Sequence, residues 1–208
     1  MLISSAIIIL AMTLYGVLHS WLASSTVKTY SRRIFGANSD RYYRMIYNIV
    51  AVITLVPILP LVALLPDQFI YLAQPPWLYL LLAGQVAALT GLFIGLWQTG
   101  ISDFLGFSQL YGVPRQLKSN TLVASGLYRC VRHPLYTAGI IIIWFMPVMT
   151  TNLFTLNLCL TLYIIVGIYF EERKLGRDFG DSYLAYQRST PMLVPRPWSK
   201  KCRKPEMS

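Results

Sequence analysis

RHPLYTAGIIIIWFMPVMTTNLFTLNLCLTLYIIVGIYFEE, residues Arg132–Glu172, holds two apolar runs with a short polar break between them. The runs are Pro134–Met149 and Leu153–Phe170, and the break is Thr150, Thr151 and Asn152. A break this short suits a tight turn between antiparallel helices. A strand pair exposed to lipid would leave its edge groups unpaired, so the stretch reads as a C-terminal helical hairpin. Pro134 suits the first helical position, where its missing N–H would be unbonded anyway. Counted from Thr151, His133 lies 18 residues back and Glu171 lies 20 residues on. At 1.5 Å per residue these are about 27 Å and about 30 Å from the turn. Hairpin geometry therefore brings Arg132, His133, Glu171 and Glu172 to nearly one depth at one membrane interface.

Three further apolar runs precede the hairpin: Leu2–Ala23, Met45–Leu65 and Trp77–Trp97. Each has about 20 residues, enough to cross a hydrocarbon core of about 30 Å. Of the 208 residues, 55% are hydrophobic and 12% charged, against about 25% charged in a soluble domain. The chain reads as an all-α polytopic membrane protein of about five transmembrane helices. The first run has its basic flank after it, the wrong polarity for a cleaved signal, and reads as a retained helix.

The net charge of +10 is distributed by loop. The segment after run one carries +4 (Lys28, Arg32, Arg33, Arg41 and Arg44 against Asp40), and the next carries −1 (Asp67). The third carries +3, the hairpin turn none, and the tail after Phe170 +4. Basic loops face the cytoplasm. The alternation places the N-terminus outside and the C-terminus in the cytoplasm, as for a bacterial inner membrane. No basic run is interleaved with a base-reading module, so nucleic acid is not expected as a partner. Two histidines and three scattered cysteines offer no ligand spacing, so no metal is expected. Cys130 reads as a free thiol, and Cys159, in mid-membrane, as a small packing residue.

His19 sits near the cytoplasmic end of run one, either as a helix-end residue bonded to a neighbour or as a wall of the cytoplasmic site. Tyr42, Tyr43 and Tyr47 read as an interfacial belt, and Pro57 and Pro60 as a kink in the second span. Gly84, Ala88, Gly91 and Gly95 share one face of the third span. Small residues let helix backbones approach closely, within the monomer or in a homodimer. Residues 101–125 form the one long polar connection in the interior and read as part of the site or its lid. The chain divides into an N-terminal membrane region, 1–100, and a C-terminal core, 101–208.

The hairpin mouth gathers two carboxylates, an arginine, a histidine and the flanking Tyr128 and Tyr136. Carboxylates accept from hydroxyls or an amino group, and an arginine forks onto a carboxylate. Aromatic faces favour a sulfonium or ammonium. Together they suit a zwitterionic, cationic ligand at a cytoplasmic cofactor pocket.

The ordered set Gly126-x-Tyr128, Arg132-His133-Pro134-x-Tyr136, Glu171-Glu172-x-x-Leu175, Phe179-Gly180-x-x-Tyr183-x-x-Tyr186 and Pro191-x-x-x-Pro195 resembles the isoprenylcysteine carboxyl methyltransferase and phospholipid methyltransferase superfamily. The resemblance covers about residues 122–197. It implies an S-adenosyl-L-methionine-dependent membrane methyltransferase. By motif, Gly126, Tyr128, Val131, His133, Pro134, Tyr136, Glu171 and Glu172 would line the cofactor pocket, and Arg132, His133 and Glu172 would be catalytic. One position departs: Ala138 stands where the family often has glycine, with Gly139 next, which would shift a close helix approach by one residue. Residues 144–175 and the PMLVP tail look most like the bacterial methanethiol S-methyltransferase group, which implies a thiol acceptor. An isoprenylcysteine-type carboxylate or a lipid is the alternative acceptor; the acceptor is small or lipophilic, and a lipophilic one could enter between helices from the bilayer while the cofactor enters from the cytoplasm. Residues His19–Ser24, HSWLAS, also look like segments of a membrane group associated with denitrification, which would imply a non-catalytic accessory. A nicotinamide-dependent reductase of the sterol type is a further reading, but no glycine-rich dinucleotide fingerprint follows a strand.

Overall fold

The computed structural model describes residues 2–36, 39–101 and 122–196. Helices α1 (Leu2–Ala23), α2 (Ser25–Phe35), α3 (Ser39–Leu55) and α4 (Ile58–Leu64) precede strand β1 (Phe69–Leu72) and helix α5 (Trp77–Thr99). A 3-10 turn, Gly126–Arg129, leads to α6 (Pro134–Trp144), strand β2 (Val148–Thr150), α7 (Thr151–Phe179) and α8 (Asp181–Ser189). Four stretches are long and apolar enough to cross a membrane: Leu2–Ala23, Arg41–Leu64, Trp77–Thr99 and Thr151–Phe179. The fifth apolar helix, α6, has 11 residues, about 16 Å of rise. The protein is an all-α, polytopic integral membrane protein.

The departures from the run pattern have local causes. Pro57 caps α4 and interrupts the second span, so α3 ends at Leu55, as a proline inside a helix requires. Pro147 acts likewise on the fourth run. Helix α6 stops at Trp144, and the chain turns extended at Val148 rather than staying helical to Met149. An extended residue rises about 3.3 Å, so fewer residues reach the turn. Strand β2 pairs antiparallel with β1, with Phe69 opposite Thr150 and Leu72 opposite Val148. The strand-forming Phe69-Ile70-Tyr71-Leu72 between two proline-containing loops is the signal for β1. The basic segment after run one is itself helical: the Ser24 hydroxyl accepts from Val27 N–H at 3.3 Å and caps α2. Most of the expected lid, 102–121, lies outside the described residues.

Two compact units share α7. The first gathers α1–α4, both strands and α7 through Tyr163. Its core is Ile8, Met12, Tyr15, Ile58, Val62 and Leu156. Asn152, fully buried, donates from Nδ2 to the carbonyls of Val62, Leu65 and Pro66 at 3.2–3.4 Å, and so ties the start of α7 to the end of α4. Those carbonyls at a helix end have no intrahelical donor. Asp67 completes the junction by accepting from the N–H groups of Gln68 (2.8 Å) and Asn152 (3.0 Å). Burial pushes the Asp67 carboxyl up, but hydrogen bonds from the Thr150 side chain and these N–H groups outweigh it and hold the group below its usual value.

The second unit gathers α5, the 3-10 turn, α6, the rest of α7 and α8. The small-residue face of α5 packs on α6. The Phe145 ring covers Gly84, Ala88 is buried, and a Cβ on Gly95 would lie 2.8 Å from Leu135 Cδ2. Gln85 Nε2 donates to Ile142 O at 3.2 Å across the same face. Gly91 has open space where its side chain would be, and so does Gly139. The departure at Ala138 therefore moves no close contact to Gly139, and Ala138 itself is buried.

Two outcomes follow from this packing. Gly84→Ala, which must displace an aromatic ring, lowers the melting temperature in detergent by the equivalent of about 1–3 kcal/mol, whereas Gly91→Ala leaves it level or raised. Equal effects would show that the two glycines do not differ in packing. Because the folded Asp67 carboxyl titrates low, its stabilisation is present above its unfolded value of about 3.9 and is lost as pH falls through the folded value. The melting difference between wild type and Asp67→Asn is therefore largest near neutral pH and narrows below about pH 4. A difference independent of pH would remove the charge of Asp67 from the junction.

Candidate functional site

The start of α6 and the stretch of α7 at Glu171 and Glu172 meet. Pro134 is the first residue of α6, and the residue before a proline is driven out of helical conformation. His133 accordingly has φ −126° and ψ 67°. This bend frees the N–H groups of Arg132 and His133, which donate to the carbonyls of Pro191 (2.8 Å) and Met192 (3.2 Å). Thr137 Oγ1 donates to Leu193 O at 2.8 Å. The segment after α8 is thereby stitched along the start of α6.

Glu172 is the centre of the site. Its Oε1 accepts from Arg132 Nε at 2.7 Å and lies 3.0 Å from His133 Nε2. Its Oε2 accepts from Gln187 Nε2 at 2.9 Å. Arg132 Nη1 donates to Gln187 O (3.1 Å) and Thr190 O (2.6 Å) at the end of α8, where unpaired carbonyls and the helix dipole favour a cation. Among the described residues no acceptor meets Arg132 Nη2, so one edge of the guanidinium is left for a ligand. The Arg132 and Glu172 side chains are only 10% and 14% exposed, so this pair is shielded from the screening that weakens surface ion pairs.

Glu171 is exposed and accepts from Tyr136 OH at 2.9 Å. The Tyr136 ring lies 5.7 Å from the His133 ring. Tyr186 OH donates to Tyr128 O at 2.6 Å, tying α8 to the 3-10 turn. Burial, then the Glu171 charge, pushes the Tyr128 phenol up to about 12. Burial and the Glu172 charge push Tyr183 up to about 12, with Arg132 opposing. Both phenols are neutral donors at physiological pH. The Tyr183 hydroxyl stands beside Glu172 without full hydrogen-bond geometry.

The residues singled out by sequence do not all converge. Arg132, His133, Tyr136, Glu171 and Glu172 come together as described. Val131 and Pro134 are buried beneath them. Gly126 takes φ +58° with the Gln98 amide packed where a side chain would be, and Gln98 Oε1 accepts from Leu127 N–H at 3.2 Å. Its requirement for glycine is therefore structural at this contact. His19 belongs to the first unit, bonded to Tyr47 OH with ring centroids 5.5 Å, 4.4 Å and 5.9 Å from Tyr15, Tyr47 and Tyr163. Cys130 is in a disulfide rather than a free thiol, which removes it as a nucleophile; Cys159 is free. Gln187 and Thr190 were not anticipated. Their signal was helical spacing, since Tyr183, Gln187 and Thr190 lie on one face of α8 and its cap.

A profile of the family described as phospholipid methyltransferase matches residues 79–182, from α5 to the start of α8. Methanethiol S-methyltransferase 2 of Bradyrhizobium diazoefficiens is 36% identical over 101 residues, covering 48% of this chain and 39% of the relative. The methanethiol S-methyltransferase of Crocosphaera subtropica is 34% identical over 95 residues, covering 45% and 37%. That of Pseudomonas deceptionensis is 26% identical over 200 residues, covering 90% and 71%. The chain thus spans about two fifths of the length of the first two relatives. No solved structure matches. The profile takes in half of the 208 residues, and with them both sides of the Arg132–Glu172 junction: the chain belongs to the phospholipid methyltransferase family.

Proposed function

We propose that the chain is an S-adenosyl-L-methionine-dependent methyltransferase, acting at the cytoplasmic face of a bacterial inner membrane on a small thiol of the methanethiol kind. The observation that carries the reading is the junction in which Glu172 holds Arg132 and His133 beside the exposed Glu171–Tyr136 pair. This donor set fits the cofactor. The unused Arg132 Nη2 edge suits an amino-acid carboxylate. Glu171, with an exposed carboxylate, suits ribose hydroxyls or an ammonium. The Tyr136 and His133 rings suit a sulfonium. When bound, the cofactor supplies an electrophilic methyl for displacement by the acceptor.

The chain's own residues hold and orient. Arg132 is fixed by three acceptors and cannot swing, so its charge is preorganised. His133 Nε2 is engaged with Glu172, which favours a positioning role over that of a base. A thiol acceptor would first lose its proton to water and would then, as a thiolate, take the methyl as the sulfonium–methyl bond broke, leaving a methyl thioether and S-adenosylhomocysteine; alignment would supply much of the rate. The thiol assignment is supported by three relatives whose names state methanethiol methylation. All of these residues lie within 101–208, in keeping with a methyltransferase core there. The orientation rests on the alternating loop charges. The Cys130 disulfide is unusual for a reducing compartment, but the four charged segments outside the spans all agree on the orientation.

Calorimetry with S-adenosylhomocysteine on detergent-purified protein tests the site. Glu172→Ala abolishes binding and lowers the melting temperature, because it strands a buried arginine. Glu171→Gln weakens binding about tenfold, the scale of one charged hydrogen bond, with melting unchanged. Wild-type affinity in both variants would sink the assignment. For the acceptor, the expected product from methanethiol is dimethyl sulfide in the headspace, and Arg132→Ala lowers kcat on the order of 10²-fold. Methylation of a prenylcysteine or a phospholipid amine, with none of methanethiol, would keep the enzyme and replace the acceptor.

A further inference from the structure

Helix α2 is amphipathic in a way the methyl-transfer site does not use. Val27, Tyr30, Ser31, Ile34 and Phe35 recur at helical spacing on one face, and Lys28, Thr29, Arg32 and Arg33 lie on the other. No residue of α2 is buried. Tyr30, Ile34 and Phe35 are 64%, 55% and 71% exposed, too apolar a set to rest in water. Their face borders a groove of about 250 Å³ whose far wall includes Ile46 and Val50 of α3. The helix starts two residues after the 22-residue span α1 ends, so it leaves the bilayer at the interface. From Ser24 to Val50 the sequence carries five basic residues and one acid, Asp40. Lys28 lies over the Tyr43 ring, in the groove wall, at 5.9 Å, and Arg41 lies over the neighbouring Tyr42 ring at 5.9 Å.

We propose that Ser25–Phe35 lies in the membrane interface and binds an anionic phospholipid, with an acyl chain in the groove and the phosphate on the basic face. Charge complementarity selects this occupant. An apolar slot alone accepts any lipid, whereas one whose Tyr43 wall carries Lys28, with Arg32 and Arg33 on the outer face of the same helix, favours one with a net negative headgroup. This site is separate from the proposed cofactor site and stands whether or not the chain transfers methyl groups.

The test is native mass spectrometry of the full chain in detergent with phosphatidylglycerol or phosphatidylcholine added in equal amounts. Wild type retains phosphatidylglycerol in preference. Lys28→Gln, Arg32→Gln and Arg33→Gln each cut that preference about fivefold, while Val50→Trp, which fills the groove, reduces retention of both lipids. Equal retention of the two lipids by wild type would overturn the proposal without any variant. An unchanged preference in the Arg33→Gln single variant, confirmed folded by its melting temperature, would also overturn it. So would a mass of two chains with no lipid retained, since the face would then be covered by a second copy.

Discussion

The Glu172 carboxylate fixes most of what can be said about the second unit. It sits 40 residues along the chain from Arg132 and 15 before Gln187, yet it binds both, and Arg132 in turn binds the last carbonyls of α8. Neither charge is well exposed, so each needs the other: removing one partner from a buried pair costs about 3–5 kcal/mol. The consequence is geometric as well as energetic. Three segments with no apolar reason to converge at a membrane boundary, the start of α6, the polar end of α7 and α8, are held by one shared set of polar contacts.

This explains why arginine is required at 132. A lysine ammonium could reach Glu172 as a point charge. It could not also hold a planar fork that meets a carboxylate from Nε and two carbonyls from Nη1. Gln187 Nε2 fills the second carboxylate oxygen, so Glu172 is nearly saturated. Glu171, one residue earlier and turned to the exposed side, has one phenol partner. Adjacent carboxylates thus have separate surroundings, one holding the frame and one exposed with a single phenol on it.

The site was legible in the sequence to a large extent because its ends are marked by polarity. Arg132-His133-Pro134 interrupts an apolar pattern, Glu171-Glu172 terminates one, and a count of residues from the Thr151 turn brings them together. What the count concealed is that the fourth run is not one helix. Pro147 ends it early, and Val148–Thr150 pairs with the distant Phe69–Leu72 strand, which a search for helical runs does not find. Helix α2 was hidden for the opposite reason. Its charges read as a loop, and the capping Ser24 and the apolar positions 27, 30, 34 and 35 become decisive only when periodicity is weighed above net charge. Gln187 and Thr190 escaped because glutamine and threonine near a helix end are common on any surface; only their alignment with Tyr183 set them apart.

The glycines of α5 illustrate how far a spacing rule reaches. Gly84, Ala88, Gly91 and Gly95 share a face, and small residues on one face predict close packing. Three of the four have it, against Phe145, in the buried interior and against Leu135, while Gly91 does not. The rule identifies the face but not the contacts, because a contact also needs a large side chain opposite. Phe145 and Leu135 supply these from the two ends of α6, and Gln85 bonds Ile142 O between them. With α6 pinned to α5 along its length and stitched at its start by Thr137 and the Arg132 and His133 N–H groups, the position of His133 is set from three directions. Glu172 therefore meets a partner already in place, and its bonds lose little entropy in forming.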